Sequence, residues 1–355
     1  MLPLDASYGE GGGQVLRVAL ALAVALGRPV TLTNIRVRRP RPGLQPQHLT
    51  AVRALAAISA AEVRGDQLDS TSLTFVPGTP VAGTYRFDVG ATRGSAGSVS
   101  LILQTLLLPL ALTGAPSTIT LVGGTHVPWS PTVHYLTEVF LPALAPAGVT
   151  AAISLRRWGW YPAGGGEIEA TIHPVPGLRG LVIDASPAGD EVVGLSAVSR
   201  LPRSIAERQR HQAEERLRAA GLRAAIAVEE DQRALGPGTV LFLAFRGRAG
   251  FSALGRRGLP AERVADLAVD ELLAWIASGA AVDEHLADQL VPFLALGRSA
   301  STFTCPRLST HLQTVVWLLR HFVGARIALD EGPPARVRIE PGAASTPFRD
   351  RRPPV

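Results

Sequence analysis

Three stretches of this chain repeat one order of elements, and that repetition limits the fold more than any single motif does. In the first, the loop Gly9-Glu10-Gly11-Gly12-Gly13 precedes an apolar helix over about residues 14–26. The helix stops at Gly27-Arg28-Pro29, a strand follows over 30–35, a second helix over about 47–61, and a strand near 72–76 closes the stretch. The second stretch has the loop Gly94-Ser95-Ala96-Gly97 and a helix over about 98–112 that stops at Gly114-Ala115-Pro116. A strand over 117–122, a helix over about 131–144 and strands near 151–155 and 167–173 complete it. The third has a helix over about 283–296, the stop Gly297-Arg298, a strand over 301–304, a helix over about 310–322 and strands near 327–329 and 336–339. Glycine or proline just past a helix ends it, and β-branched runs after the stop favour strands.

The expected fold class is therefore α/β in the α+β sense. Its core would be three helix-on-small-sheet units in a pseudo-threefold arrangement, formed by residues 1–176 with 280–341. Residues 177–279 break the pattern with a strand over 181–185, a charged helix over about 204–220, strands over 224–229 and 239–246, and a helix over about 260–278. They are expected to form an inserted, smaller α/β domain. The proline- and arginine-rich residues 342–355 are expected to fray as a flexible tail.

Composition removes several chemistries. The chain contains no lysine: its 35 basic residues are all arginine, against 29 acidic ones, for a formal net charge of +6. A P-loop needs a lysine on its phosphates, and Schiff-base chemistry or nucleotidyl transfer through lysine needs an amine. A covalent phosphorus–nitrogen bond here would require a histidine nitrogen. With one cysteine, Cys305, neither a disulfide framework nor a cysteine zinc site is open to it. Gln104, Thr105 and Pro109 interrupt the most apolar run, which is too short to span a bilayer, and residues 1–5 lack a basic signal-peptide region. A cytoplasmic location with no membrane partner is expected.

Several motifs could carry chemistry. The glycine loop before the first helix lets backbone approach an anion closely, and Glu10 within it suits a phosphate bridged by a divalent cation; a tight turn with a solvated Glu is the alternative. Arg36, Arg38, Arg39 and Arg41 lie in a proline-punctuated stretch before Gly43, with Gln47 and His48 opening the next helix. Such arginines grip phosphates or form a solvated charge run. The loop over 94–98 is a weaker second candidate for a phosphate cradle. Ser309-Thr310 would cap a helix with His311 in its first turn, where the helix dipole disfavours imidazolium and would keep a nucleophile neutral; a partly buried, hydrogen-bonded histidine is the alternative.

The ordered set of motifs resembles the RNA 3'-terminal phosphate cyclases. The segments are Gly9–Gln14 with Arg17, Pro42-Gly43-Leu44 with Gln47-His48, Gly94–Ser98 with Gln104, Gly123-Gly124-Thr125, Gly159-Trp160-Tyr161-Pro162-Ala163-Gly164-Gly165-Gly166, His285-Leu286-Ala287-Asp288-Gln289 and Thr310-His311-Leu312. The resemblance implies an ATP-dependent ligase. It would convert an RNA 3'-terminal phosphate to a 2',3'-cyclic phosphate through a covalent histidine–AMP and an RNA-(3')pp(5')A intermediate, releasing pyrophosphate and AMP. Carried onto this sequence, it makes His311 the nucleophile and Glu10 the ligand of a divalent metal, magnesium or manganese. Gln104, Asp288 and Gln289 would contact the nucleotide, with Pro131 and His285 flanking adenine. Arg17, Arg36, Arg39, Gln47 and His48 would bind phosphates of ATP or of the RNA end. The implied partners are ATP and RNA 3'-phosphate ends; the oligomeric state stays open, a homodimer among the alternatives. Rival readings are a non-catalytic binding relative, which would lack the histidine, and an enolpyruvyl-transferase-like enzyme, which would use lysines.

Overall fold

The first sheet begins with a strand that the repeat pattern missed. In the computed structural model, which describes residues 1–91, 93–184, 189 and 191–342, β1 (Leu2–Asp5) precedes α1 (Gly13–Leu26) and pairs in parallel with β2 (Val30–Thr33). Next come α2 (Pro46–Ser59), β3 (Glu62–Arg64) and β4 (Leu73–Val76), giving the sheet order β1-β2-β4-β3 with β4 antiparallel to both neighbours. α1 is apolar on nearly every side and is buried accordingly. It ends at Gly27, whose φ of 62° lets its N–H reach back to Ala23 and Val24.

The second sheet has the same connectivity. β5 (Thr84–Asp88), α3 (Val99–Ala111) and β6 (Ser117–Gly123) make a parallel pair with its crossover, and β7 (Ala151–Arg157) and β8 (Gly166–Ile172) complete the order β5-β6-β8-β7. The helix expected over 131–144 is broken. A π turn (Leu136–Phe140) separates α4 (Val133–Tyr135) from α5 (Leu141–Leu144). Pro142 has no N–H to give to the carbonyl of Glu138 four residues earlier. That carbonyl accepts instead from the Gly247 N–H at 2.8 Å.

β9 (Val182–Ile183) opens the third sheet, because it pairs in parallel with Thr302 and Phe303. The sequence reading put a strand over 181–185 in the inserted segment; the pairing puts Val182–Ile183 here, and Ala185 lies outside the described residues. The chain then leaves to build a separate sheet. β10 (Glu191–Ser199), α6 (Arg203–Ala219), β11 (Arg223–Asp231), β12 (Gly238–Phe245), β13 (Ala249–Leu254) and α7 (Ala261–Ser278) form the order β11-β10-β12-β13, with its own core of Val192, Leu217, Leu241, Leu243, Val264 and Leu272. Returning, α8 (Glu284–Leu294), β14 (Ser301–Cys305), α9 (Thr310–Phe322), β15 (Arg326–Asp330) and β16 (Ala335–Glu340) give β15-β16-β14-β9.

One continuous core joins the three sheets of matching connectivity. α1 lies at its centre, against α2, α3 and α9. Cys305 packs inside it as a small hydrophobe, with burial pushing the thiol up to about 12. Among the described residues no helix is long and apolar enough to cross a membrane. The tail expected over 342–355 lies, from residue 343 onward, outside the described residues.

Candidate functional site

The starts of α1, α8 and α9 open onto one cleft of about 1060 Å³. Its wall includes Glu10, Arg17, Arg36, Arg39, Gln47, His48, Gln104, Pro131, His285, Asp288, Gln289 and His311, but not Arg38 or Arg41 of the arginine stretch.

The glycine loop docks along one face of α9. Tyr8 stacks on Trp317, with ring centroids 4.1 Å apart and planes within 10°. Gly9, at φ +61°, leaves no room for a side chain, since a Cβ would come within 2.2 Å of Thr314 Oγ1. Glu10 then faces His311, its Oε2 3.3 Å from Nε2 and 3.2 Å from Arg39 Nη2. Residues 8, 9 and 10 thus meet 317, 314 and 311 in turn, at the three-residue spacing of one helix face.

His311 sits in the first turn of α9, where Ser309 Oγ caps the Leu312 N–H at 3.1 Å. Partial burial lowers its pKa, with His285 and Arg17 acting in the same sense and Glu10 opposing them. The ring is neutral near pH 7 and still half-exposed to the cleft.

His48 is buried and well below the usual imidazole range, first through desolvation and then through Arg36 and Arg17. Its Nδ1 accepts the Gln45 N–H at 3.2 Å, so the proton of the neutral ring lies on Nε2. That edge lies against Gly13, where a Cβ would stand 2.4 Å from Nε2 and 2.8 Å from Arg17 Nη1. Burial lowers Arg17 to about 10, while Asp288 opposes the shift. Arg36 gives Nη1 to the carbonyls of Arg41 and Gly43 at 2.6 and 3.0 Å, bracing the arginine loop. Gln47 Oε1 accepts the Ser98 N–H at 3.1 Å.

Two neighbouring residues of α8 tie the units together across the cleft. Gln14 Nε2 donates to Asp288 Oδ2 at 2.7 Å, and Gln104 Nε2 donates to Gln289 Oε1 at 2.7 Å. Burial raises Asp288 to about 7, with Asp283 adding to the rise while His285, Gln14 and Arg17 oppose it. Asp283 caps α8 through the N–H groups of His285 and Leu286, both at 2.8 Å, and accepts the Tyr135 hydroxyl at 3.0 Å and the Gly250 N–H at 3.1 Å. This joint brings the second sheet's helix, the insertion and α8 to one point.

Sequence reasoning missed part of the wall. The insertion contributes Phe251, Ser252, Glu271 and Trp275, and the second unit contributes Trp129 and Tyr135. The insertion's wall residues carry no local signal, because which face of β13 or α7 meets the cleft depends on docking. The loop over 94–98, read as a candidate cradle, and the glycine run at 159–166 are absent from the wall. Gly97 packs on Val89 and Gln47, and Gly159–Gly166 packs on the turns around Gly123 and Ala96. His126 and His134 bond each other at 2.9 Å outside the cleft. Among the described residues no group of three or more His, Cys, Asp or Glu is placed to hold a metal.

Comparison with known proteins bears on the site. The family profile described as RNA 3'-terminal phosphate cyclase matches residues 8–329. An RNA 3'-terminal phosphate cyclase of Trichormus variabilis is 44% identical over 337 residues, which cover 93% of this chain and 97% of the relative. One of Methylococcus capsulatus is 49% identical over 336 residues, covering 92% of each. One of Caldivirga maquilingensis is 41% identical over 351 residues, covering 96% of this chain and 98% of the relative.

Proposed function

The chain belongs to the RNA 3'-terminal phosphate cyclase family, and we propose that it uses ATP to close an RNA 3'-phosphate into a 2',3'-cyclic phosphate. The observation that carries this reading is the meeting of His311, Glu10 and the arginines in one cleft.

A neutral imidazole nitrogen of His311 attacks the α-phosphorus of ATP. A phosphorus–nitrogen bond forms, the bond to pyrophosphate breaks, and the positive end of α9 favours the phosphoryl group so attached. An oxygen of the RNA 3'-phosphate then displaces the histidine, giving an RNA–adenylate anhydride. The neighbouring 2'-hydroxyl attacks the 3'-phosphorus, loses its proton and expels AMP. The leaving groups are good ones, so the protein chiefly positions and neutralises charge. Arg17, Arg36 and Arg39 supply positive charge to the phosphates, and His48 offers a neutral Nε2–H donor. Pro131 and His285 flank the adenine, with Gln104, Asp288 and Gln289 holding the nucleotide.

The donor set fits a divalent cation only as a bridge to substrate: Glu10 is a single carboxylate, and substrate phosphates and water would complete a magnesium or manganese shell. Such a cation would neutralise phosphate charge when bound. The chemistry is assigned to the three joined sheets, and residues 191–279 to one wall of the nucleotide end.

Incubation with α-labelled ATP and Mg²⁺ should yield an acid-labile protein–AMP adduct. His311→Ala should lose the adduct while melting as the parent does; label retained in that variant rejects the assignment. An RNA ending in a 3'-phosphate should become phosphatase-resistant, and no change in that RNA would leave a binding protein as the better reading.

A further inference from the structure

Residues 127–130 form a turn at the cleft mouth whose central positions are Pro128 and Trp129. Ser130 Oγ closes the turn on the Val127 carbonyl at 3.1 Å. Trp129 has φ +60°. That left-handed value after a proline is what a type II turn requires, and glycine or asparagine normally meets it. A tryptophan there is strained, and the residue is 95% exposed. The contrast within the chain is sharp: Trp158, Trp160 and Trp275 are buried, and Trp317 stacks on Tyr8. Folding gains nothing from this indole, which buries almost none of the surface that normally makes tryptophan stabilising.

Its place suggests what it meets. Trp129 belongs to the cleft wall two residues before Pro131, and the loop is anchored where Thr132 Oγ1 lies 3.4 Å from Ser252 Oγ. The cleft floor offers guanidinium groups and a neutral imidazole to phosphates. Among the assigned contacts, only Pro131 and His285 face a base, and both are taken by the nucleotide. A strand delivering its 3'-phosphate to that floor leaves its own bases at the mouth, where an exposed indole has a free π face. Aromatic stacking is the usual way to hold single-stranded bases without reading their sequence.

We propose that Trp129 is the stacking platform for a base of the RNA strand near its 3' end. This rests on the reading that the cleft takes RNA ends, and the tests separate the two. Trp129→Gly should raise the KM for a 3'-phosphorylated RNA about tenfold, within the ~5- to 150-fold range of lost base stacking, with kcat at saturating RNA nearly unchanged. Its melting temperature should stay level or rise, because glycine fits the backbone angle; a structural tryptophan would give a fall. Trp129→Tyr should recover most of the RNA affinity. Without ATP, titration with a short RNA ending in a 3'-phosphate should quench the indole emission that differs between parent and Trp129→Phe, and an oligomer of the same length lacking bases at its 3' end should not.

An unchanged RNA KM in Trp129→Gly, together with no Trp129-dependent quenching, overturns the platform. Quenching by AMP but not by RNA, with the ATP KM raised instead, also overturns it and gives the ring to the nucleotide. Absence of His311-dependent adenylylation in the parent would sink the cyclase reading while leaving the quenching result to stand or fall alone.

Discussion

Two glycine-rich loops in this molecule resemble each other as sequences and differ in everything they touch. At Gly13, the neighbours a side chain would strike are the working ends of His48 and Arg17, 2.4 and 2.8 Å away. At Gly159, the neighbours are backbone: the Gly123 carbonyl at 2.3 Å and the Gly166 nitrogen at 2.5 Å. The first loop lines the cleft. The second is a joint, with the Thr125 and His126 N–H groups donating to the Gly159 carbonyl at 2.9 and 3.1 Å. Beside it, Trp158 and Trp160 pack against Leu195, Ala197 and Val240 of the insertion. A glycine run reports that something comes close; whether that is a substrate-facing side chain or another strand is a property of the fold.

The sharpest test of the contrast is Gly159→Ala. Backbone cannot step aside as a side chain can, so a loss of about 3 kcal/mol is expected as a lowered urea midpoint. Adenylylation per folded molecule should stay near the parent's. Gly13→Ala should do the reverse. Displacing His48 and Arg17 by about an ångström should cut kcat/KM for cyclisation about 100-fold while the urea midpoint moves less than in Gly159→Ala. If both variants lose stability alike, the division between working loop and joint is wrong.

Much of the cleft was legible because its side chains sit at element starts, where capping residues and glycines leave a sequence trace. Ser309 before His311 and the glycines before Gln14 are such traces. Two of the leading strands were not legible. β1 and β5 are sheet edges of four and five residues with partly exposed faces, so they show little apolar alternation, whereas β9 was read as a strand and only its sheet was misplaced. The break in the helix near Pro142 has a local cause, yet its repair by Gly247 comes from a distant segment. Trp129 gave no warning either: between Pro128 and Ser130 it reads as an ordinary turn residue, and only its φ and exposure set it apart.

Acid should probe the joint next. Thr125 Oγ1, His126 and His134 form a chain of contacts at 2.9 Å each. Burial holds His126 well below the usual range, helped by His134, and brings His134 to about 4. An unfolded histidine titrates near 6.5, so the unfolded chain takes up protons that the fold refuses. The stability carried by each neutral ring is therefore complete above about pH 6.5 and is lost as pH falls toward 4. His134 alone should lose at most about 2 kcal/mol between pH 6.5 and 5. Thermal melts of His134→Gln over that range should be shallower than the parent's. An equal slope would mean the ring is solvated.

Near the working loop the electrostatic sign is opposite. Burial raises the Asp288 carboxyl from about 3.8 to about 7, so the folded chain holds a proton that the unfolded chain has released. Its contribution is greatest below pH 3.8 and declines as pH rises to 7, which leaves an ionised carboxylate against the cleft wall at pH 8 as a net cost. Asp288→Asn should then stabilise the protein by about 1 kcal/mol at pH 8, discounting for the open cleft, and by nothing near pH 4. Gln14 can keep its bond, since the asparagine oxygen accepts as the carboxylate did. The same variant should raise the KM for ATP in self-adenylylation. Greater stability at pH 8 joined to weaker nucleotide use would mark Asp288 as a residue held at a folding cost for its ligand. A variant less stable at both pH values would make it a structural tie between α1 and α8 instead.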